Sequence, residues 1–493
     1  MQAGWILTLL ILIPALSGGI CLLLRSARAV LWFCVAGALT TAAVAGIAVT
    51  GVFGHGALFA AGDWFMLDPL SAFHLIVMSV IFCLSALYGV SYFRGEIESG
   101  KFSPRLARRY GGLWFGALAA MTLVLITNNL GLMWVGIEAT TLLTAFLICI
   151  HATAGALEAM WKYLLMCSVG VAMAFTGTLL IAASTGPAAL HGKEALLWTN
   201  LHDAALKLDP TLLKAGFLFL VIGYGTKAGL VPMHNWLPDA HSQAPAPVSA
   251  IFSGFLLNAA FYCILRSLAL VEAATGHSGW GRDVLVVFGV LSILVAAVFI
   301  LTQNDVKRLL AYSSVEHLGV ITLGIGLGGL GALAALFHIL NHSVGKTVSF
   351  FCAGKLGQLY GTHDMRRMTG QLRVAPVWGP GLAVGLLALI GTAPFAIFTS
   401  ELLVLKASVD MGDYATAALF LAGLAIVFIA VLRHAIGMAC KPAPEGMRPM
   451  KTYWAEGALV FVPLAALLVL GVWMPAPLLN ALTQAARILG GAQ

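Results

Sequence analysis

Charged residues are scarce in this sequence. Asp, Glu, Lys and Arg make up only 10% of the 493 residues, whereas hydrophobic residues make up 60%. Soluble proteins carry about 25% charged residues, so this composition excludes a soluble globular protein. The chain also lacks low-complexity tracts and any stretch polar enough to form a soluble domain. We therefore expect an all-α polytopic membrane protein, because helices satisfy their backbone hydrogen bonds without water.

Redox and metal motifs are lacking as well. The chain has eight cysteines, and no two of them are spaced as Cys-x-x-Cys. Iron–sulfur and zinc sites therefore have no support in the sequence. Most of the cysteines lie within apolar runs, where cysteine behaves as a small hydrophobic residue. We expect no cofactor, no metal and no catalytic residue in this chain.

Apolar runs of about 20 residues predict about fourteen transmembrane helices. The first run continues to Leu24 and has no basic segment before it, so we interpret it as a membrane helix rather than a signal peptide. The predicted spans are 3–24, 29–52, 69–93, 111–127, 130–151, 162–185, 212–230, 246–271, 284–303, 308–327, 331–354, 378–404, 415–437 and 455–474.

Basic residues collect in alternate loops between these spans. The loops on one side contain Arg25, Arg28, Arg94, Lys101, Arg105, Arg108, Arg109, Lys307, Arg308, Arg366, Arg367, Arg373, Lys441, Arg448 and Lys451. The loops on the other side carry no such basic excess. By the positive-inside rule the basic side is cytoplasmic, which predicts that both termini lie outside the cytoplasm.

Glycine and proline interrupt two of the predicted helices. The seventh run carries Lys227 and breaks just after it, and the twelfth breaks before Glu401. The residues expected at the breaks are Gly229, Pro232, Pro238 and Pro394. Lipid-exposed backbone cannot be left unpaired, so such breaks should be buried in protein or face water. Broken helices at corresponding places in two halves indicate inverted repeats around a site near the middle of the membrane.

Titratable residues recur within the apolar runs, where they are costly and mark ion pathways. The candidates for a proton pathway are Glu138, Lys162, Lys227, Lys307, Glu316, His317, His338, His342, Lys346 and Glu401. His338, His342 and Lys346 are spaced four apart, which places them on one helical stripe about 12 Å long. Histidine changes charge near neutral pH, so this row suits proton movement.

Each candidate also has a structural interpretation. Glu138 and Lys227 could form a stabilising pair without carrying ions, and Lys162 could either pair with Glu158 on the helix surface or reach inward toward Glu138. Lys307 could be an ordinary positive-inside anchor. His338 and His342 cannot ligate opposite faces of one haem because they lie one turn apart on the same helix, so haem ligation would need partners elsewhere.

Four ordered blocks resemble a known family. TKAGLVPMHNWLPDAHSQAPAPVSA, DVKRLLAYSSVEHLGV, LFHILNHSVGKTVSFFCAG and GTAPFAIFTSELLVLKA are similar to the antiporter-like subunits of complex I, membrane-bound hydrogenases and multisubunit cation/proton antiporters. The resemblance covers about residues 65–440 and implies fourteen helices with two inverted five-helix repeats. The implied units are 1–110 (three helices), 111–271 (first repeat), 272–440 (second repeat) and 441–493 (last helix and tail).

The resemblance also implies residue roles. Glu138 and Lys227 would form the first half-channel, Lys307 the bridge, and the second half-channel would contain His338, His342 and Glu401. Family members often have a lysine or histidine in helix eight, where this chain has only the neutral Ser253 and Asn258. The first half-channel of this chain therefore differs from that of such family members by a neutral eighth helix.

SSVEHLGV, SGFLLNAAFY and FTSELLVLK are most similar to the hydrogenase-4 component F subgroup. We therefore expect a proton-translocating subunit of a hydrogenase-type complex in a prokaryotic inner membrane, with other membrane subunits and a peripheral [NiFe] hydrogenase-like module with iron–sulfur subunits as partners. The alternatives are a subunit of a cation/proton antiporter, of a quinone-reducing complex or of an inorganic-carbon uptake system, or a scaffold that moves no ions.

Overall fold

The computed structural model describes residues 4–490, which are almost entirely helical. The α-helices are α1 (Gly4–Leu23), α2 (Ala27–His55), α3 (Pro69–Tyr92), α4 (Arg94–Glu98), α5 (Pro104–Ile126), α6 (Leu130–Ile148), α7 (Ala154–Ala183), α8 (Trp198–Asp203), α9 (Pro210–Ala228), α10 (Leu237–Gln243), α11 (Ala246–Ile251), α12 (Leu257–Ala274), α13 (Trp280–Leu301), α14 (Val306–Leu327), α15 (Gly329–Tyr360), α16 (Gln371–Val374), α17 (Trp378–Leu389), α18 (Ala396–Asp410), α19 (Tyr414–Cys440), α20 (Trp454–Val472) and α21 (Ala476–Ile488). One π-helical turn, Phe252–Leu256, joins α11 to α12. Short 3-10 turns occupy Gly186–Ala188, Gly192–Leu196 and Ala205–Lys207. Two short antiparallel strands, β1 (Leu58–Ala60) and β2 (Phe65–Leu67), form a hairpin between α2 and α3.

The all-α, polytopic fold class is confirmed. Within residues 4–490, eleven helical segments are long and apolar enough to cross a membrane. The remaining predicted spans coincide with α9 and α15, which carry buried lysines, and with the interrupted pair α17 and α18. The count of fourteen spans and the division into two repeats therefore stay predictions. Residue 3, where the first span was predicted to begin, lies outside the described residues.

Two glycines in the left-handed region end the broken helices. α9 ends at Ala228, and Gly229 follows with φ +84°. α17 ends at Leu389, Gly391 has φ +65°, and α18 begins at Ala396. Glycine reaches this backbone conformation without steric cost, so it permits a sharp break. Pro232 and Pro394 lie in the two breaks.

Pro238 does not act as the sequence predicted. It lies in the first turn of α10 rather than between helices. Proline is tolerated there because the first amide groups of a helix have no partner within the helix. The segment between α9 and α11 is therefore a short helix with its own start, not an unstructured break.

The most buried helices lie where the titratable residues are. The run from α11 through α12 and the whole of α14 are buried within the bundle. Close helix contacts depend on small residues: a Cβ at Gly289 of α13 would lie 2.6 Å from the backbone of Leu323 in α14. Small residues let helix backbones approach closely in membranes. Apart from Glu138 and Lys162, the predicted pathway residues are thus buried within the protein.

A buried ion pair fastens α12 to the start of α3. Arg266 donates to the Asp68 carboxylate from both terminal nitrogens, at 2.6 and 2.5 Å, and from Nε to the hydroxyl of Tyr262 at 2.7 Å. Asp68 also caps α3 by accepting from the amide of Ser71. Both charges are buried, and each has its partners in place.

Substituting Arg266→Met should destabilise the fold by about 3–5 kcal/mol, because the Asp68 carboxylate is left buried without its cation. The double variant Arg266→Met/Asp68→Leu should recover most of that loss. Thermal unfolding of the purified chain in detergent measures both effects. Equal losses of stability in the single and double variants would contradict the importance of this pair.

Candidate functional site

Lys227 is held by hydroxyl groups at the last turn of α9. Its side chain is fully buried, and Nζ donates to the Thr141 hydroxyl at 3.0 Å and to the Tyr163 hydroxyl. The ammonium also lies 4.5 Å from the centre of the Tyr163 ring, which adds a cation–π interaction. Tyr163 in turn pairs with the Thr144 hydroxyl at 2.6 Å. The residues that solvate this lysine are therefore neutral groups that can pass a proton.

Glu138 lies one turn before Thr141 on α6 and does not bind Lys227 directly. No ion pair within 4.0 Å joins the two side chains in residues 4–490. The buried Oε2 of Glu138 has no hydrogen-bond partner in this part of the chain. The expected direct pair is thus replaced by an indirect arrangement in which α6 offers Thr141 to the lysine. Glu138 still acts on Lys227 electrostatically.

The structure corrects the inward interpretation of Lys162. Its ammonium lies 2.6 Å from Glu158 and 3.0 Å from Asp239, and half of its side chain is exposed. Asp239 belongs to α10 and also binds Arg308 of α14. Lys162 therefore tethers α10 to α7 and does not reach Glu138.

Lys307 is not a surface anchor. Only 3% of the residue is exposed, and Nζ donates to the carbonyl oxygens of Ser242 at 2.8 Å and Ala244 at 2.5 Å. These carbonyls lie at the end of α10, where helix carbonyl groups are unpaired and attract a cation. Lys307 thus caps α10 from α14, at the place where the two predicted repeats meet.

The second half contains a compact buried cluster. His317 Nδ1 and His338 Nε2 lie 3.0 Å apart, and His338 Nδ1 lies 2.9 Å from the Ser400 hydroxyl. His317 Nε2 lies 3.6 Å from a Glu316 oxygen. The His342 ring centre is 5.1 Å from that of His317. Imidazoles in hydrogen-bond contact can exchange a proton, since each has one donor and one acceptor nitrogen when neutral.

Lys346 lies one turn beyond His342 on α15 and is fully buried. Its Nζ donates to the carbonyl oxygen of Leu310 in α14 at 2.9 Å. Glu316 is the acidic group that acts on it electrostatically. The predicted stripe of His338, His342 and Lys346 thus faces α14, which contributes its own titratable residues to the same cluster.

Glu401 lies where α18 begins after the break. It is 6% exposed, and its Oε1 has no partner in the described chain. A Cβ at Gly391 would collide with this carboxylate, so glycine at the break makes room for it. Glu401 also lines a cavity of about 440 Å³ together with Phe398, Phe420 and Leu424. Glu401 is therefore a titratable residue of the second half that lines a cavity.

Three buried side chains of the second half lie close enough together to hold a metal ion. His317, His338 and Glu401 offer donor atoms within 4.8 Å of one another. The two histidines already bind each other, and the second nitrogen of His338 faces Ser400. We therefore interpret this group as a hydrogen-bonded chain and assign no metal to it.

The neutral residues of the eighth predicted helix connect the two halves structurally. The Ser253 hydroxyl pairs with that of Ser314 in α14 at 2.7 Å. The Asn258 amide donates to the Ser343 hydroxyl in α15 at 3.0 Å. These contacts fix α11 and α12 against the second half without any titratable group.

Sequence reasoning missed three residues of this arrangement. The sequence did not indicate a role for Tyr163, because aromatic residues are common in apolar runs. Asp239 and His241 lie in the polar, proline-rich segment, which the sequence analysis interpreted only as a helix break. Their position in α10, between the two groups of buried charges, is visible only in the folded chain.

Buried lysines, histidines and carboxylates beside two broken helices define an antiporter-like membrane subunit. Residues 127–427 match the family described as NADH:quinone oxidoreductase/Mrp antiporter, TM, and the chain belongs to that family. It is 41% identical over 372 residues to the hydrogenase-4 component F homolog of Methylacidiphilum infernorum (isolate V4), covering 75% of this chain and 77% of that protein. The family resemblance inferred from the motifs is thereby confirmed.

Solved structures of related complexes contain chains with the same fold as this protein. A chain of the membrane-bound sulfane sulfur reductase, an archaeal respiratory membrane complex, superposes with a TM-score of 0.87 at 26% identity over 98% of this chain and 97% of that chain. A chain of the Mrp complex from Dietzia sp. DQ12-45-1b superposes with a TM-score of 0.86 at 22% identity over 99% and 98% of the two chains. The second similarity shows the fold alone.

Substituting Tyr163→Phe should lower any transport that depends on Lys227 by about tenfold or more, since a hydrogen bond to a charged group is worth about 1.5–3 kcal/mol. The ring and its packing remain, so the amount of folded chain should not change. Tyr110→Phe is the control, because Tyr110 is equally buried but packs against Phe93 and Phe102. Unchanged proton transport in membrane vesicles of Tyr163→Phe would remove Tyr163 from the site.

Proposed function

We propose that this chain is a proton-translocating membrane subunit of a hydrogenase-type redox complex related to complex I. The observation that carries the proposal is the set of buried titratable groups next to two broken helices, in which His317 and His338 lie within hydrogen-bond distance. Such groups are costly in a membrane protein interior and mark ion pathways. The similarity to a hydrogenase-4 component F homolog supports the type of complex.

The pathway would begin at Lys227, whose proton can pass to Tyr163 or Thr141. It would continue across α10 and Lys307 to Lys346. From there the histidines His342, His317 and His338 would carry it to Glu401. Glu401 would release the proton, because it borders the cavity between α18 and α19.

Electrostatic coupling between Glu138 and Lys227 would drive the movement of the proton. Glu138 stabilises the ammonium form of Lys227, so a change of charge or hydration near Glu138 changes the free energy of the proton on Lys227. Electron transfer in a partner subunit would supply that change. The chain's own residues would then hold, release and rebind protons without taking part in redox chemistry.

The ion is a proton rather than sodium in this proposal. Sodium prefers a cage of several oxygen ligands, whereas the buried cluster of the second half contains mainly nitrogen donors. Imidazole and ammonium groups exchange protons but do not coordinate sodium. The basic loops would face the cytoplasm, with both termini on the other side of a prokaryotic inner membrane.

A mild-detergent pull-down of the tagged chain tests the type of complex. We expect nickel and iron to co-purify with a [NiFe] hydrogenase-like subunit, iron–sulfur subunits and other membrane subunits. Metal analysis and mass spectrometry of the purified material measure this. Recovery of small membrane subunits alone, without redox metal, would contradict the hydrogenase assignment and favour a cation/proton antiporter.

Lys227→Ala and Glu138→Gln should each uncouple proton transport from electron transfer while leaving the complex assembled. Dye-monitored acidification of inside-out vesicles, divided by the electron-transfer rate, gives the coupling. Lys214→Ala is the matched control, because Lys214 lies on the same helix but at its start, over the ring of Trp280. Loss of assembly in the two site variants would argue for a structural role instead.

A further inference from the structure

Two adjoining cavities open on the outside of the helix bundle, where α2, α3 and α20 meet. The polar cavity has a volume of about 410 Å³ and is lined by Arg28, Arg94 and Glu98 among others. The apolar cavity has a volume of about 380 Å³ and is lined mainly by side chains of α3 and α20. Arg94 and Tyr453 border both cavities, so the two form one continuous groove.

The polar cavity has the charge to hold an anion. Among residues 4–490, Arg94 has no acidic partner within 4.0 Å, and its guanidinium lies 4.9 Å from the centre of the Tyr453 ring. Arg28 has one acidic neighbour, Glu98, at 3.9 Å, which is near the limit for an ion pair. Two guanidinium groups and one carboxylate leave one net positive charge. Arginine binds phosphate through two parallel N–H bonds, so a phosphodiester would match both the charge and the donors.

The start of α2 adds to the positive potential of the polar cavity. α2 begins at Ala27, and Ser26 before it makes no side-chain hydrogen bond to the first amide groups. The amide groups at the start of a helix have no partner within the helix and carry a partial positive charge. Arg28 lies in this first turn, so its guanidinium and the helix terminus favour the same anion.

The apolar cavity continues from the polar one along the outer sides of α3 and α20. Its lining includes Leu84, Leu87 and Leu459. Trp32 and Trp454 also border it, and they are exposed by 59% and 88%. Tryptophan is enriched where the hydrocarbon core of a membrane meets the headgroups. The order of these surfaces, from two arginines through tryptophans to leucines, matches a molecule with an anionic headgroup and a hydrocarbon chain.

A buried network fixes the floor of the groove. The Ser91 hydroxyl donates to one oxygen of Glu456 at 2.5 Å, and the Lys355 ammonium lies 3.6 Å from the same oxygen. Lys355 also donates to the carbonyl oxygen of Ser91 at 3.0 Å. The charge of Glu456 is thus offset by Lys355 rather than directed at the polar cavity. Because the network joins α3, α15 and α20, the groove keeps its shape.

The position of the groove favours a lipid over a protein helix. Both arginines belong to the basic loops that the positive-inside rule predicts to be cytoplasmic, and the cytoplasmic leaflet is the one with a negative surface potential. An apolar helix of a partner subunit in this groove would cover Arg28 and Arg94 without supplying an anion. Covering a guanidinium without a partner is costly.

We propose that this groove binds one anionic glycerophospholipid of the cytoplasmic leaflet. Its phosphodiester lies between Arg28 and Arg94, and an acyl chain follows the apolar cavity between α3 and α20. The lipid would join α20, near the end of the chain, to α2 and α3 near its beginning. This site goes beyond the proposed function and does not depend on which ion the chain moves.

A photoactivatable phosphatidylglycerol with a diazirine in its acyl chain tests the site in the intact complex in mild detergent. Cross-linking followed by peptide mass spectrometry should label the parts of α2, α3 and α20 that line the groove. Labelling should fall about tenfold in Arg28→Gln/Arg94→Gln, because glutamine supplies no charge-assisted hydrogen bonds to the phosphodiester. Arg105→Gln is the matched control and should be labelled as the wild type is: Arg105 is an exposed arginine in the predicted cytoplasmic loops but lines neither cavity.

Competition in the wild-type complex keeps the test independent of whether the double variant folds. Unlabelled phosphatidylglycerol should displace the probe from the groove, whereas zwitterionic phosphatidylcholine should not. Equal displacement by both lipids, or undiminished labelling of Arg28→Gln/Arg94→Gln, would overturn the proposal and leave the groove in contact with bulk lipid only. Absence of labelling in the wild type would overturn it as well, and loss of a membrane subunit from the double variant would then assign the groove to a partner helix.

Discussion

Placing charge inside a membrane protein is the constraint on which the rest of this structure depends. A lone ammonium or carboxylate in a medium of low dielectric constant costs many kcal/mol unless it is paired, solvated by dipoles or neutralised. The chain meets this cost mainly with hydroxyls and carbonyls rather than with opposite charges. Lys227 has Thr141 and Tyr163, Lys307 has two carbonyls of α10, and Lys346 has the carbonyl of Leu310.

Solvation of buried lysines by neutral groups affects how easily they can give up a proton. A tight buried ion pair holds both charges, because separating them leaves each one uncompensated. The Arg266–Asp68 pair is of this kind, and it joins two helices. A lysine solvated by neutral groups loses less when it gives up its proton, since the neutral amine can still donate to a hydroxyl or carbonyl partner. The same chain thus contains both kinds of buried charge, the paired kind where it fixes helices and the dipole-solvated kind where a proton can move.

The sequence predicted the fold class and most members of the row, and the reasons are physical. Apolar runs report membrane helices directly, and an ionisable residue within such a run has few structural uses. Gly229 and Pro394 were recognisable because a broken helix in lipid needs residues that permit a sharp break. The surface pair of Lys162 with Glu158 was one of the two predicted interpretations, but its second partner, Asp239, comes from a segment 77 residues away and could not be predicted. Tyr163 was missed because its contact with Lys227 arises only when α7 and α9 are packed together.

The two halves of the chain surround their buried titratable residues with different chemical groups. In the first half a single lysine is surrounded by hydroxyl groups, which pass protons but hold none near neutral pH. In the second half three histidines and a carboxylate adjoin a lysine, and His317 and His338 are within hydrogen-bond distance. In the proposed pathway, a proton that crosses α10 therefore reaches a group with more titratable side chains than the group it leaves. The segment at that boundary is held by Asp239 and Lys307, whose contacts involve α7 from the first half and α14 from the second, so α10 keeps a fixed position between the two groups.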